Sequence, residues 1–144
     1  MIHLIAASDA GAGIIGLKII KGDLDGAVKE AKTIIHELEE DYLTPKLFRA
    51  LASAWILQKQ IFRATLLCLH CMVKFNGHHH FQALLSHLDT FYTPHVMVME
   101  DYLKGKSRNL FTSKDVVNEC LETDFESVLN LGKYMIQDFS LGNL

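Results

Sequence analysis

The chain has 144 residues, with 14 Lys and Arg against 17 Asp and Glu, a formal net charge of −3. Its hydrophobic fraction is 49% and its charged fraction 22%, enough apolar surface to offset chain entropy, which excludes intrinsic disorder. The slightly negative balance gives no general attraction to phosphate and argues against a nucleic-acid binder, and the length suits a single domain of about 100–200 residues.

Only two prolines occur, Pro45 and Pro94, with nine glycines. A sandwich or barrel of short strands needs more turn punctuation. Ala, Leu, Lys and Glu recur at helical spacing instead, so the expected fold class is all-α. Three cysteines, an odd number, imply no disulfide framework and fit a reducing cytoplasm. The start lacks a basic region and Asp9 interrupts its apolar run, against a signal peptide. No apolar stretch approaches the roughly 20 residues needed to span a bilayer, so no membrane insertion is expected.

In chain order, the first helix starts after Ser8 or Asp9, either of which suits an N-cap, and continues through Ile14, Ile15, Leu17, Ile19 and Ile20. Gly11, Gly13 and Gly16 weaken it by about 1 kcal/mol each relative to alanine and predict a closely approaching neighbour. Lys21-Gly22-Asp23 is a turn, with Gly22 a C-terminal cap and Asp23 the next N-cap. The second helix covers residues 24–43, with Ala27, Val28, Ala31, Ile34 and Ile35 on its apolar stripe. Thr44 caps a third helix that has Pro45 in its first turn and carries Phe48, Leu51, Ala52, Trp55 and Ile56.

A break at Gln58-Lys59-Gln60 leads to a fourth helix with Ala64, Leu67, Cys68, Cys71, Met72 and Phe75, ended by Asn76-Gly77. Residues 78–92 form a fifth helix, and Pro94 opens a sixth. Residues 105–109 read as an exposed loop, and Ser113 caps a seventh helix. Thr123-Asp124-Phe125-Glu126 spells a capping box. It opens a last helix with Phe125, Val128, Leu129, Met135, Ile136 and Phe139 on one stripe.

The turn at Gly22 and the break at Lys59 are 37 residues apart. That offset sets Ile14 on Leu51, Ala27 on Ala64 and Ala31 on Cys68. A small side chain early in each second helix lets the two helices of a hairpin approach closely, with Phe48 and Trp55 filling the groove beside it. This pattern resembles the tetratricopeptide repeat family, best over residues 45–76 and more weakly over 8–41. Phe48 stands at the large aromatic of the family's first helix, Leu51-Ala52 at its leucine and small-residue pair, and Trp55 at the aromatic that follows. Ala64 stands at the nearly fixed alanine of the second helix, and Cys68 and Cys71 at its aromatic and small positions. Lys21-Gly22-Asp23-Leu24-Asp25-Gly26-Ala27-Val28 resembles the family's turn. Gly11 and Lys18 depart from it, as do Glu39 and Asn76 where the closing proline would stand.

The resemblance implies antiparallel hairpins stacked as a short array of about seven or eight helices. Residues 8–41 and 45–76 would be repeat-like, 78–104 a degenerate hairpin, and 113–140 capping helices. It also implies a protein-protein interaction module, adaptor-like or chaperone-like, whose groove is lined by the first helix of each pair. Lys46, Arg49, Ser53 and Leu57, with Ile19 and Ile20 of the adjacent helix, are the expected partner-binding residues. The basic pair favours an acidic or amphipathic partner segment. An asparagine clamp for terminal carboxylates is not expected, since Ser53 and Gly16 stand at its places. Homo-oligomers are a further expectation, because short arrays expose apolar ends.

The rival reading is a histidine-rich bundle binding a metal ion or small ligand through His78, His79, His80, His87 and, less directly, His95. The helical His-x-x-x-His spacing that zinc favours is absent. Cys68-x-x-Cys71 lies within a helix and reads as a pair of core thiols rather than a redox or zinc motif. His36 and Glu40 read as a solvated face. Gly11-x-Gly13-x-x-Gly16 spells a dinucleotide fingerprint but lacks the βαβ context it requires. Lys104, Lys106 and Arg108 read as a solvated basic loop. No coherent catalytic constellation emerges, so the expectation is a non-enzyme without a cofactor.

Overall fold

A computed structural model of the chain describes residues 2–106 and 109–128. Among the described residues there are eight α-helices and no strand, so the chain is all-α. The helices are α1 (Ile2–Ile20), α2 (Leu24–Glu37), α3 (Pro45–Leu57), α4 (Ile61–Lys74), α5 (His79–Phe91), α6 (Thr93–Lys106), α7 (Ser113–Glu122) and α8 (Phe125–Val128). A short 3-10 turn covers Glu40–Tyr42. No helix among the described residues is long and apolar enough to cross a membrane.

The first two hairpins each close on a residue with a left-handed backbone. Gly22 (φ +82°) closes α1 onto α2, and Lys59 (φ +62°) closes α3 onto α4. The wiring matches at the 37-residue offset. Asp23 N donates to Lys18 O and Gln60 N to Trp55 O, both at 2.8 Å, while Gly22 N donates to Ile19 O and Lys59 N to Ile56 O, both at 3.0 Å. Lys59 does this without glycine's freedom, in a conformation that strains any residue with a Cβ.

The α3–α4 hairpin holds the centre of the core. Phe48 and Trp55 are fully buried, Leu51 nearly so, and they meet Ala64, Leu67, Cys68 and Cys71, also without exposure. The first hairpin buries Ile15 with Ala27, Ala31 and Ile35. α4 packs against α3, α5, α6 and α7. In a linear stack α7 would follow α6. Here it lies on α4 and reaches back to α2, where Asn118 Oδ1 meets His36 Nε2 at 3.0 Å.

Several helix boundaries differ from the expected ones, and in each case a tertiary partner is the reason. α1 begins at Ile2, and Ser8 and Asp9 lie inside it rather than capping it. Both instead serve Thr44. Thr44 N donates to Ser8 Oγ (3.2 Å), the Ser8 and Thr44 hydroxyls lie 3.0 Å apart, and Thr44 Oγ1 donates to Asp9 Oδ1 (2.7 Å). Thr44 thus occupies the N-cap position of α3 while its side chain caps nothing there. α2 stops at Glu37, where an extended backbone at Leu38 lets the chain turn and bury Leu43.

Thr112, not Ser113, caps α7, exchanging hydrogen bonds with Asp115 in a capping box. Before α8, Thr123 turns back to Glu119, and Asp124 bonds Ser127 N instead. α6 continues through Gly105 to Lys106, where a loop was expected. Ser107, Arg108, the Val128 side chain, and Leu129, Met135, Ile136 and Phe139 lie outside the described residues.

His36 lies on an exposed face as expected, whereas a second polar knot replaces the solvated face expected for Glu40. Glu40 Oε1 accepts from Lys74 Nζ (2.5 Å) and from Ser113 N (2.6 Å), which sets a carboxylate at the positive end of α7. His70 Nε2 meets Ser113 Oγ at 3.0 Å. Burial pushes the Glu40 carboxyl up, but its bonds to Lys74 and Ser113 outweigh burial and hold it below 4.5. Burial and then the Lys74 charge lower His70 below 6.5, with Glu40 and Asp115 opposing in part.

Two outcomes follow from this packing. Ala64→Leu overfills the hairpin and lowers stability by about 1–3 kcal/mol, read from denaturation midpoints. Both depressed groups bind protons more weakly folded than unfolded, so acid destabilises. The His70 contribution is complete above 6.5 and is lost as pH falls through the lowered folded value; the Glu40 contribution is complete above 4.5 and is lost below it. Stability measured against pH therefore falls in two limbs. Glu40→Gln removes the lower limb and costs about 1–2 kcal/mol at neutral pH. His70→Gln shallows the upper limb without abolishing it, because burial lowers His95 as well.

Candidate functional site

Between α1 and α3 runs a groove of about 400 Å³. Asp9, Ala12, Gly13, Gly16 and Ile19 line it from α1, and Lys46, Arg49, Ala50 and Ser53 from α3. Each set repeats at three- and four-residue intervals, so each is one stripe of its helix. The stripe on α3 lies off the Phe48, Leu51 and Trp55 stripe, which faces the core.

The floor is made of small residues. A Cβ at Gly13 or Gly16 would meet nothing within 4 Å, so these glycines open the groove rather than admit a neighbouring helix. Gly11 alone of the three shows the expected close approach: a Cβ there would strike Ile34 Cδ1 of α2. Lys46 and Arg49 are exposed on the rim, while Ser53 is half-buried. Asp9 brings the one carboxylate among the lining residues, and its Oδ1 already accepts from Thr44.

The structure thus gathers Lys46, Arg49, Ser53 and Ile19 into one groove. Ile20 and Leu57 do not line it. Ile20 is turned about 100° around α1 from Ile19 and is 83% exposed, and Leu57, the last residue of α3, is 55% exposed.

The histidines divide. His78, His79 and His80 converge at the start of α5, where ring centroids are 4.3–4.6 Å apart. His78 Nδ1 accepts from His80 N at 3.2 Å and so caps the helix. Burial, then Arg49, the two neighbouring imidazoles and Lys46 lower His80 below 6.5. That influence places the triad within the field of the groove's cations, as the packing of α5 on α3 requires. His87 stands apart against Phe91, with centroids 4.9 Å apart. His95 rests on Phe62 at 4.4 Å.

The remaining motifs resolve into structure. Cys68, Cys71 and Cys120 are free and buried. Burial pushes the Cys68 thiol up to about 12 and raises Cys71 and Cys120 as well, so none is a ready thiolate. Gly11, Gly13 and Gly16 lie inside α1, and residues 2–7, where the strand of a dinucleotide fingerprint would stand, are helical as well, which opposes that reading. Lys104 and Lys106 end α6, with Lys106 Nζ 5.8 Å from the Tyr102 ring centroid.

Two polar groupings that tie the helices together escape sequence reading: the Ser8–Asp9–Thr44 chain, which reaches the groove through Asp9, and the Glu40 knot. An aspartate interrupting the apolar first half of α1 is the signal for the first. Comparisons with protein families, with curated proteins and with solved structures found no match to this chain.

The open floor has a measurable consequence. Gly13→Ala and Gly16→Ala each raise stability by about 0.5–1 kcal/mol, since helix propensity improves and nothing is struck. Gly11→Ala gains less, because Ile34 must turn aside. Thermal denaturation of the three variants ranks them.

Proposed function

We propose that this chain is a non-catalytic protein-interaction module with tetratricopeptide-like hairpins, and that the groove between α1 and α3 receives an acidic segment of a partner protein. The observation that carries the reading is the groove itself: a small-residue floor under two exposed cations, Lys46 and Arg49. Its length along two helices suits an extended or helical peptide better than a compact metabolite. Matching turns at Gly22 and Lys59, and buried small residues at Ala27 and Ala64, support the repeat-like part.

Apolar side chains near the groove supply contact area, since solvated ion pairs are worth only about 0–1 kcal/mol each. Ile19 lines it, and exposed Ile20 and Leu57 flank the stripes. Free buried thiols suit a cytoplasmic setting. Exposed Ile14, Leu17 and Ile20 on α1 suit association of copies or of a further partner surface.

The test is charge reversal. Lys46→Glu combined with Arg49→Glu weakens capture of the partner by about tenfold at low ionic strength, and less at high salt, while the helical circular dichroism stays unchanged. Equal capture by the double variant at low salt rejects this groove as the site.

A further inference from the structure

We propose that His78, His79 and His80 form a binding site for a transition-metal dication of borderline softness, copper(II) or zinc(II), with a coordination position left open. The inference is independent of the groove's partner.

Local backbone geometry brings the three rings together. Asn76 (φ +51°) and Gly77 (φ +72°) reverse the chain after α4, and Gly77 N donates to Met72 O at 2.7 Å. His78 then takes an extended conformation at the N-cap (φ −51°, ψ +136°), which swings its ring over the first turn of α5. His79 and His80 are the first two residues of that turn. Consecutive residues of a continuous helix would splay about 100° apart; the non-helical cap is what lets the third ring join. The His78 ring is steadied edge-on by Phe81 at 6.1 Å, and Phe81 is itself buried and stacked on Phe75 at 5.8 Å.

One ligand atom from each imidazole lies within 4.8 Å of the others. Metal–nitrogen bonds of about 2.0–2.1 Å in tetrahedral array need nitrogens about 3.4 Å apart. The closure required is therefore modest side-chain rotation, which exposed His79 can supply. Apart from His78 Nδ1, the ring nitrogens of the triad make no hydrogen bond to the described residues.

The chemistry of the donors selects the ion. Three imidazoles with no thiolate or carboxylate among them suit copper(II), then zinc(II), and offer little to calcium or magnesium. Arg49 and Lys46 of α3 lie near enough to act on the triad through their charges. The same charges repel a dication, so binding rests on the coordination bonds and not on a general negative field. With three protein ligands the fourth position remains for water or an incoming carboxylate. Ligation by His78 also removes its cap on His80 N, because a ring cannot ligate and keep the Nδ1 acceptor role without losing its remaining proton.

The experiment titrates copper(II) chloride and zinc(II) chloride into the full chain carrying no affinity tag, in competition with a chelator of known affinity. One ion per chain is expected, copper tighter than zinc, with magnesium and calcium inert. His79→Ala and His80→Ala each weaken binding at least about tenfold, since even outer-shell partners of a metal carry about 10–100-fold. His87→Ala binds as the parent does. Copper electron paramagnetic resonance shows equatorial nitrogen ligands that diminish in the variants, and the His80 amide resonance shifts on zinc addition. His79 is exposed, so its variant keeps the parent circular dichroism and tests the site without unfolding. No saturable binding of either ion, unchanged affinity in His79→Ala and His80→Ala, or an equal loss in His87→Ala each overturns the proposal.

Discussion

The need to bury α4 on nearly every side organises this molecule. Ala64, Thr65, Leu66, Leu67 and Cys68 are consecutive and all buried, so they point around the whole circumference of the helix. A helix apolar all round must be surrounded. α3 covers one side, α5 and α6 others, and α7 folds back to complete the cover. A simple hairpin stack would leave α4 open on the side that α7 fills. The demand of one helix therefore bends an array-like chain into a closed cluster.

Polar side chains then fix how the covering elements sit. Ser8, Asp9 and Thr44 tie the middle of α1 to the start of α3 through hydroxyls and a carboxylate. Because the Thr44 proton goes to Asp9, the Ser8 hydroxyl donates to Thr44 and accepts from its N–H, and the chain of donors is complete. Glu40, Lys74 and Ser113 do the same for α4 and the start of α7. A carboxylate at the N-terminus of α7 meets both a lysine and the positive helix end, which is why its charged form is favoured despite burial. These knots cannot slide as apolar contacts can, so they set register where packing alone sets proximity.

The groove is a by-product of the same arrangement. α1 and α3 are held close by the Thr44 knot at one end, while Gly13 and Gly16 leave space along the middle. The cations on its rim and the imidazoles of α5 come from different helices, and only the packing of α3 on α5 makes them neighbours. Its electrostatic character thus belongs to no single segment.

Sequence alone determined what depends on near neighbours along the chain. The all-α class, the hairpin turns at Gly22 and Lys59, and the inward stripe of Phe48, Leu51 and Trp55 all follow from spacing and turn chemistry over a few residues. So does the solvent-facing stripe of Lys46 and Arg49. Partners far away in sequence decided the rest. Ser8 and Asp9 look like helix caps because a cap and a tertiary hydrogen bond use the same oxygens, and Thr44, 35 or 36 residues on, claims them. Gly11 admits Ile34, while Gly13 and Gly16 face open space; identical residues part company only through what stands opposite. His78, His79 and His80 meet while His87 does not, because a non-helical cap overrides helical spacing. Local spacing says which way a side chain points along its own helix, and only the assembled helices say what it finds there.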